Sequence, residues 1–187
     1  DELVFIIATH RLASGHSDAG VVGTQMSNLG LELALREAGL QFARAKVGDR
    51  YVKEMMEANG WHLGGESSGH LICADITTTG DGIVAALQVL IAVQAAGGNL
   101  AGLRAGMTKY PQTMINVPVG GKVDLAEFPE VAKAVAGVEA QLGERGRVLL
   151  RPSGTEPKVR VMVEGGDPAE VKTLCTGLAQ EVERILA

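Results

Sequence analysis

The 187-residue chain is 46% hydrophobic and 3% aromatic, with a formal net charge of −5 and a pI of about 5.4. That composition allows one large domain or two small ones with a real core, and it excludes a nucleic-acid surface, which needs a basic stripe with stacking rings. The longest apolar run, Ile83–Ala96, is interrupted by Gln88 and Gln94 and is too short to span a bilayer, and no signal peptide is recognisable, so no membrane partner and a cytoplasmic location are expected.

The first residue is Asp1 and the chain opens inside a helix with Val4, Ile7 and Leu12 near one face, a start that suggests a fragment of a longer polypeptide. Residues 19–25 then read as a short buried strand. Ser27 is expected to cap a helix running to Ala38 and stopped by Gly39. The pattern repeats with a strand over Gln41–Val47, a helix capped by Asp49 and ended by Gly60, and a strand near His62–Gly65. Short strands alternating with helices imply βαβ units and a mostly parallel sheet with helices on its faces. Asp81 reads most simply as the N-cap of a helix from Gly82 to Ala96 that is apolar nearly all round, and a helix of that kind belongs between layers of protein.

The pattern changes after a short helix and linker. Thr113–Val119 is expected as a strand. Phe128, Val131, Val135, Val138 and Leu142 recur at helical spacing behind Pro129. Two strands, Arg147–Arg151 and Lys158–Gly165, follow, and Asp167 opens a last helix striped by Val171, Leu174, Leu178, Val182 and Ile185. The fold class is therefore α/β plus α+β: a βαβ-type, mostly parallel sheet layer over residues 1–100, a linker at 101–111, and a small domain at 112–187 with a mainly antiparallel sheet and two helices. Cys73 falls on a strand and Cys175 on the last helix, without metal-ligand spacing, so both read as reduced core thiols.

Three loops carry chemistry. In the first, Arg151-Pro152-Ser153-Gly154-Thr155-Glu156-Pro157, alternation on the flanking strands puts Val148, Leu150, Val159, Val161 and Val163 on a core face and Arg147, Arg151, Lys158 and Arg160 on the other. Between Glu144 and Arg160 five Lys/Arg stand against two Glu, a local positive field suited to a small anion. The plain reading is a hairpin turn with solvated basic residues; the density of donors favours a phosphate cradle. The second loop holds Glu66, Ser68 and His70, which alternate so that an extended loop points all three one way, as the hydroxyls or amine of a sugar require; an incidental glycine-rich turn explains the pattern equally well. In the third, Lys46, Gly48, Asp49 and Arg50 sit beyond a strand's carboxyl end, where parallel sheets offer ligand sites. There the alternative is a helix cap beside a solvated arginine. His10, His16 and His62 stand alone and read as surface groups. Nothing supplies metal ligands or a Ser/His/Asp set.

Together, Gly23-Thr24-Gln25-Met26-Ser27-Asn28-Leu29-Gly30-Leu31-Glu32, Ala45-Lys46-Val47-Gly48-Asp49-Arg50-Tyr51-Val52, Gly65-Glu66-Ser67-Ser68-Gly69-His70, Thr77-Thr78-Thr79-Gly80-Asp81-Gly82 and Arg151-Pro152-Ser153-Gly154-Thr155-Glu156-Pro157 resemble the bacterial phosphoglucosamine mutases of the α-D-phosphohexomutase superfamily. The resemblance covers essentially the whole chain, in order, and the chain looks like the third and fourth of four domains. It implies an isomerase that interconverts glucosamine 6-phosphate and glucosamine 1-phosphate, supplying the precursor of UDP-N-acetylglucosamine and of the cell wall.

Carried over by motif, the resemblance makes Glu66, Ser68 and His70 sugar contacts and Arg151, Ser153, Gly154, Thr155 and Arg160 the phosphate clamp. Lys46, Gly48, Asp49 and Arg50 line the same cleft. It also implies a hexosamine phosphate substrate and partner domains of the same polypeptide, with Mg²⁺ for the full-length enzyme bound outside this chain and no cofactor expected here. Neither a phosphoserine motif nor an Asp-Gly-Asp run occurs in the sequence, so no catalytic residue and no mutase activity are expected from this chain alone. A phosphomannomutase/phosphoglucomutase relative and a non-catalytic sugar-phosphate binding module remain as alternatives, and homodimerisation through an exposed apolar wall stays open.

Overall fold

The computed structural model describes residues 1–16, 18–154 and 156–186. They form two compact units, Asp1–Lys109 and Tyr110–Ala187.

The first unit runs α1 (Glu2–Ala13), β1 (Gly20–Thr24), α2 (Leu29–Glu37), β2 (Gln41–Ala45), α3 (Asp49–Asn59), β3 (Leu63–Gly65), β4 (Leu71–Cys73), α4 (Gly82–Ala95) and α5 (Leu100–Arg104). Its four strands lie in the order β2-β1-β3-β4. β1 is parallel to both β2 and β3, and β4 closes the edge antiparallel to β3, pairing Leu63 with Cys73 and Gly65 with Leu71. The expected βαβ pattern is thus present. Successive residues of β1 serve opposite faces: Val22 packs with Val52, Met56, Trp61 and Ile72 on the α3 side, whereas Val21 joins Ile7, Leu35 and Val89 from α1, α2 and α4. Leu103 and Met107, from the stretch expected to be linker, also pack into this core.

Two cap assignments change. α2 is capped by Asn28, whose extended backbone lets Oδ1 accept from the Gly30 N–H at 3.0 Å. Ser27 is fully buried one residue earlier, where its Oγ accepts from the Thr24 N–H at 2.9 Å, so it closes the preceding turn. At α3 the N-cap is Gly48, at φ +127 where a side chain would be strained, and Asp49 is the first helical residue. Asp81 caps α4 as expected, its Oδ1 accepting from Ile83 and Val84 at 2.8 and 3.0 Å. α4 itself does not lie between layers within the described chain. Ala85, Val89 and Ala92 are buried, but Ile83, Leu87, Leu90 and Ile91 form an exposed stripe, with Ile83 76% and Leu90 60% accessible.

The second unit contains β5 (Gln112–Pro118), α6 (Pro129–Leu142), β6 (Gly146–Pro152), β7 (Lys158–Gly165) and α7 (Pro168–Leu186). Its sheet has the order β5-β7-β6 and is antiparallel throughout. Val159, Val161 and Val163 of β7 are completely buried against Val131, Val138 and Leu142 of α6 and Val171, Cys175 and Val182 of α7, so both helices cover one face. By alternation the other face carries Arg151, Arg160 and Met162. Asp167 caps α7 through Oδ1, which accepts from Ala169 at 2.8 Å.

Candidate functional site

In the second unit, the candidate site is built on the β6–β7 hairpin. The last ladder pair is Pro152 with Val159, and Ser153 N–H donates to the Lys158 carbonyl at 2.8 Å, so residues 154–157 form the tip. One pair inward, Arg151 lies directly opposite Arg160. Like charges in register across two strands repel. Neither arginine is neutralised within the hairpin: both Nε atoms are buried and make no hydrogen bond among the described residues. Burial first, and the Arg160 guanidinium second, push the Arg151 pKa below the usual arginine range. Two half-buried guanidinium groups side by side, each with a buried Nε that makes no hydrogen bond among the described residues, are what an anion would satisfy.

The remaining charges of the hairpin are already engaged. Arg147 Nε donates to Glu164 at 2.6 Å, and Glu164 is wholly buried. Lys158 Nζ meets Glu156 at 2.7 Å, which holds the Glu156 carboxylate below its usual pKa. Of the four basic groups placed on this face from sequence, Arg151 and Arg160 are therefore the ones that form no ion pair or hydrogen bond among the described residues. Gly154 has nothing of the chain within contact distance of where a Cβ would stand. Thr155 lies outside the described residues. Beside the tip a cavity of about 530 Å³ is lined by Ser153, Gly154, Pro152, Val119 and Lys122, the last two from the loop after β5. Lys122 was missed in the sequence, although its run Gly120-Gly121-Lys122 is itself a glycine-rich cationic loop.

The first unit gathers its candidates at three loops. The 66–70 segment is a tight turn and not an extended loop: Glu66 N–H donates to the His70 carbonyl at 2.9 Å and Gly69 N–H to the Glu66 carbonyl at 3.0 Å, with Gly69 at φ +97. Alternation therefore does not govern its side chains. Glu66 Oε1 accepts from the Gly48 N–H at 2.8 Å, tying this turn to the start of α3. Ser68 is exposed at the tip. Asp49 Oδ2 stands 3.5 Å from His70 Nε2. Lys46 and Arg50 are engaged elsewhere, Lys46 Nζ lying 5.9 Å from the centre of the Tyr51 ring and Arg50 pairing with Glu54 on the exposed helix face at 2.8 Å. The loop before α4 joins the cluster through Lys53, which donates to the Thr78 carbonyl at 2.8 Å. A cavity of about 380 Å³ is lined by Asp49, Arg50, Lys53, Thr78, Thr79 and Gly80.

His62 is not an isolated surface group, since its Nδ1 lies 2.7 Å from Asp18. Cys73 and Cys175 are free and buried, and burial pushes both thiols above their ordinary pKa.

A parallel-sheet layer with a loop cluster at its strand ends, followed by an antiparallel unit with an unpaired arginine couple, defines a class with known members. Residues 1–110 match the family model described as phosphoglucomutase/phosphomannomutase, alpha/beta/alpha domain III, and residues 114–181 match the C-terminal domain model of that family. The chain belongs to the phosphoglucomutase/phosphomannomutase family. Among its curated relatives, the phosphoglucosamine mutase of Methylococcus capsulatus is 59% identical over 184 residues, covering 98% of this chain and 41% of that protein. The phosphoglucosamine mutase of Cellvibrio japonicus is 56% identical over 187 residues, 100% of this chain and 42% of that protein. The chain thus spans about two fifths of the length of these relatives. A solved structure of Aspergillus fumigatus N-acetylphosphoglucosamine mutase superposes with a TM-score of 0.84 at 20% identity, covering 100% of this chain and 43% of that one. The same fungal enzyme in complex with GlcNAc-6P and magnesium gives 0.80 at 20% identity, covering 100% and 44%. At these identities the likeness is one of fold.

Proposed function

We propose that this chain supplies the sugar-reading and phosphate-holding part of a phosphoglucosamine mutase, an isomerase that interconverts glucosamine 6-phosphate and glucosamine 1-phosphate in the cytoplasm toward UDP-N-acetylglucosamine. The observation that carries the proposal is the Arg151–Arg160 couple, registered across β6 and β7 with both Nε atoms buried and without a hydrogen-bond partner among the described residues. A phosphate accepts from both guanidinium groups and turns a repulsive pair into a shared clamp. Ser153 and the open space at Gly154 complete its surroundings, with Thr155 assigned to them by motif. Glu66, Ser68 and His70 are the proposed sugar contacts, and Gly48 and Asp49 hold that turn in place. That the curated relatives are phosphoglucosamine mutases supports glucosamine over glucose or mannose as the sugar.

The fungal relative was solved with magnesium. Among the described residues here, no group of three or more His, Cys, Asp or Glu side chains is placed to hold a metal ion; a magnesium ion of the full-length enzyme would, by the motif resemblance, be held by residues outside this chain. Nor is any helix among the described residues long and apolar enough to cross a membrane. The chain alone is assigned binding, without turnover.

Calorimetric titration tests the clamp. Glucosamine 6-phosphate should bind about ten- to a hundredfold more tightly than glucosamine, the ratio expected for charge-assisted hydrogen bonds of about 1.5–3 kcal/mol. Arg151→Ala should abolish the difference. Equal affinity for the two ligands, or an unchanged ratio in the variant, would remove the proposal.

A further inference from the structure

His70 is held on one side only. Its Nε2 is closed off from solvent and makes no hydrogen bond. The Gly80 backbone passes so near that a Cβ at that position would meet the ring nitrogen and push the imidazole aside. The polar group within ion-pair reach of Nε2 is Asp49 Oδ2, at 3.5 Å. The other Asp49 oxygen is anchored, accepting from the Arg50 N–H at 2.8 Å. The backbone of His70 is fixed as well, its carbonyl accepting from Glu66. The ring is therefore located by its own main chain, by the Gly80 backbone and by one carboxylate from the start of α3.

We propose that Asp49 is a positioning residue that sets the tautomer of His70. At 3.5 Å and without a hydrogen bond, the ionised Asp49 carboxylate acts through its charge, favouring the tautomer whose N–H faces it. With Nε2 protonated, the neutral imidazole presents Nδ1 as a bare lone pair, an acceptor for a hydroxyl of the ligand. Asp49 thereby decides what His70 offers to a sugar without touching the sugar. The Gly80 backbone also packs close to Nε2, which is closed off from solvent. The inference rests on the reading that the 66–70 turn contacts the carbohydrate.

Long-range ¹⁵N–¹H correlation spectra of the imidazole, together with titrations of glucosamine 6-phosphate and inorganic phosphate, test the assignment on the 187-residue chain. The spectra should show neutral His70 protonated at Nε2 in the unaltered chain, and a mixture of tautomers or the Nδ1–H form in Asp49→Asn, whose amide can donate as well as accept. In that variant the affinity for glucosamine 6-phosphate should fall about five- to tenfold, one hydrogen bond's worth, while the affinity for inorganic phosphate is unchanged. If His70→Ala weakens sugar-phosphate binding but Asp49→Asn alters neither tautomer nor affinity, the positioning role is overturned and the sugar-reading turn survives. If His70→Ala binds as well as the unaltered chain, the turn's sugar contact fails and this inference fails with it. An Nδ1–H tautomer in the unaltered chain would overturn the positioning role directly.

Discussion

Arg151 and Arg160 would each be unremarkable alone. It is their register that matters: facing one another across β6 and β7, they hold two positive charges opposite each other with no ion pair among the described residues, while Arg147 in the same sheet is neutralised by buried Glu164. Like charges in register cost stability at the first pair, a cost that an anion would offset, whereas the second pair needs no ligand. Cys175 shows the same dependence on surroundings. Its Sγ lies 3.4 Å from the Thr113 carbonyl in a fully buried position, and burial raises its pKa in the folded chain. The sign follows directly. A raised folded value means that the fold favours the protonated thiol, so this contribution is complete below the ordinary thiol pKa of about 8.5 and is lost as pH climbs through the folded value. Urea midpoints measured from neutral to alkaline pH should therefore fall less steeply above that point in Cys175→Ala than in the unaltered chain, even though the variant starts from a lower midpoint. Parallel slopes would show that the thiol does not titrate differently in the two states.

Among the elements, α4 separates burial from hydrophobicity most clearly. Its sequence is apolar nearly all round, yet Val89 is buried while Leu90, its neighbour, is 60% exposed. Leu90→Glu should therefore move the thermal midpoint little, within about 0.5 kcal/mol as for surface substitutions. Val89→Asp places a charge in the core and should unfold the first unit or lower its midpoint by many degrees. Comparable losses for the two variants would mean that the outer stripe is covered. Composition alone could not reveal which side of α4 is buried, because periodicity marks a face only where polar residues delimit it. The same limit appears at smaller elements. α3, α6 and α7 were legible from caps and stripes, since Gly60, Pro129 and Asp167 stand where backbone geometry demands them. Ser27 and Asn28 are both good caps, and only the turn that buries Ser27 assigns the role to Asn28. The Glu66 turn misled for a related reason: alternation holds in strands, and three residues ending at a left-handed glycine are not one.

At the level of the whole chain, the division into a parallel-sheet unit and an antiparallel one was readable because the period of the pattern changes between the two, and the arginine couple was readable because strand alternation placed both residues on one face. The Asp49–His70 approach was not, since no sequence spacing encodes a contact made between the start of α3 and a separate turn. The two units also differ in how their cores are closed: Ile7 belongs to a cluster built from α1, α2 and α4 with one face of the first sheet, and Leu142 to a cluster built from α6, α7 and the second sheet, with no residue in common. Substitutions that share no partner act independently. Ile7→Val removes one buried methylene and should cost about 0.5–1.5 kcal/mol, and Leu142→Ala should cost about 2–5 kcal/mol. In urea denaturation the double variant should lose the sum of the two within about 0.5 kcal/mol. An interaction term clearly above that margin would show that the two cores are energetically coupled, and the description of the chain as two separately packed units would have to be given up.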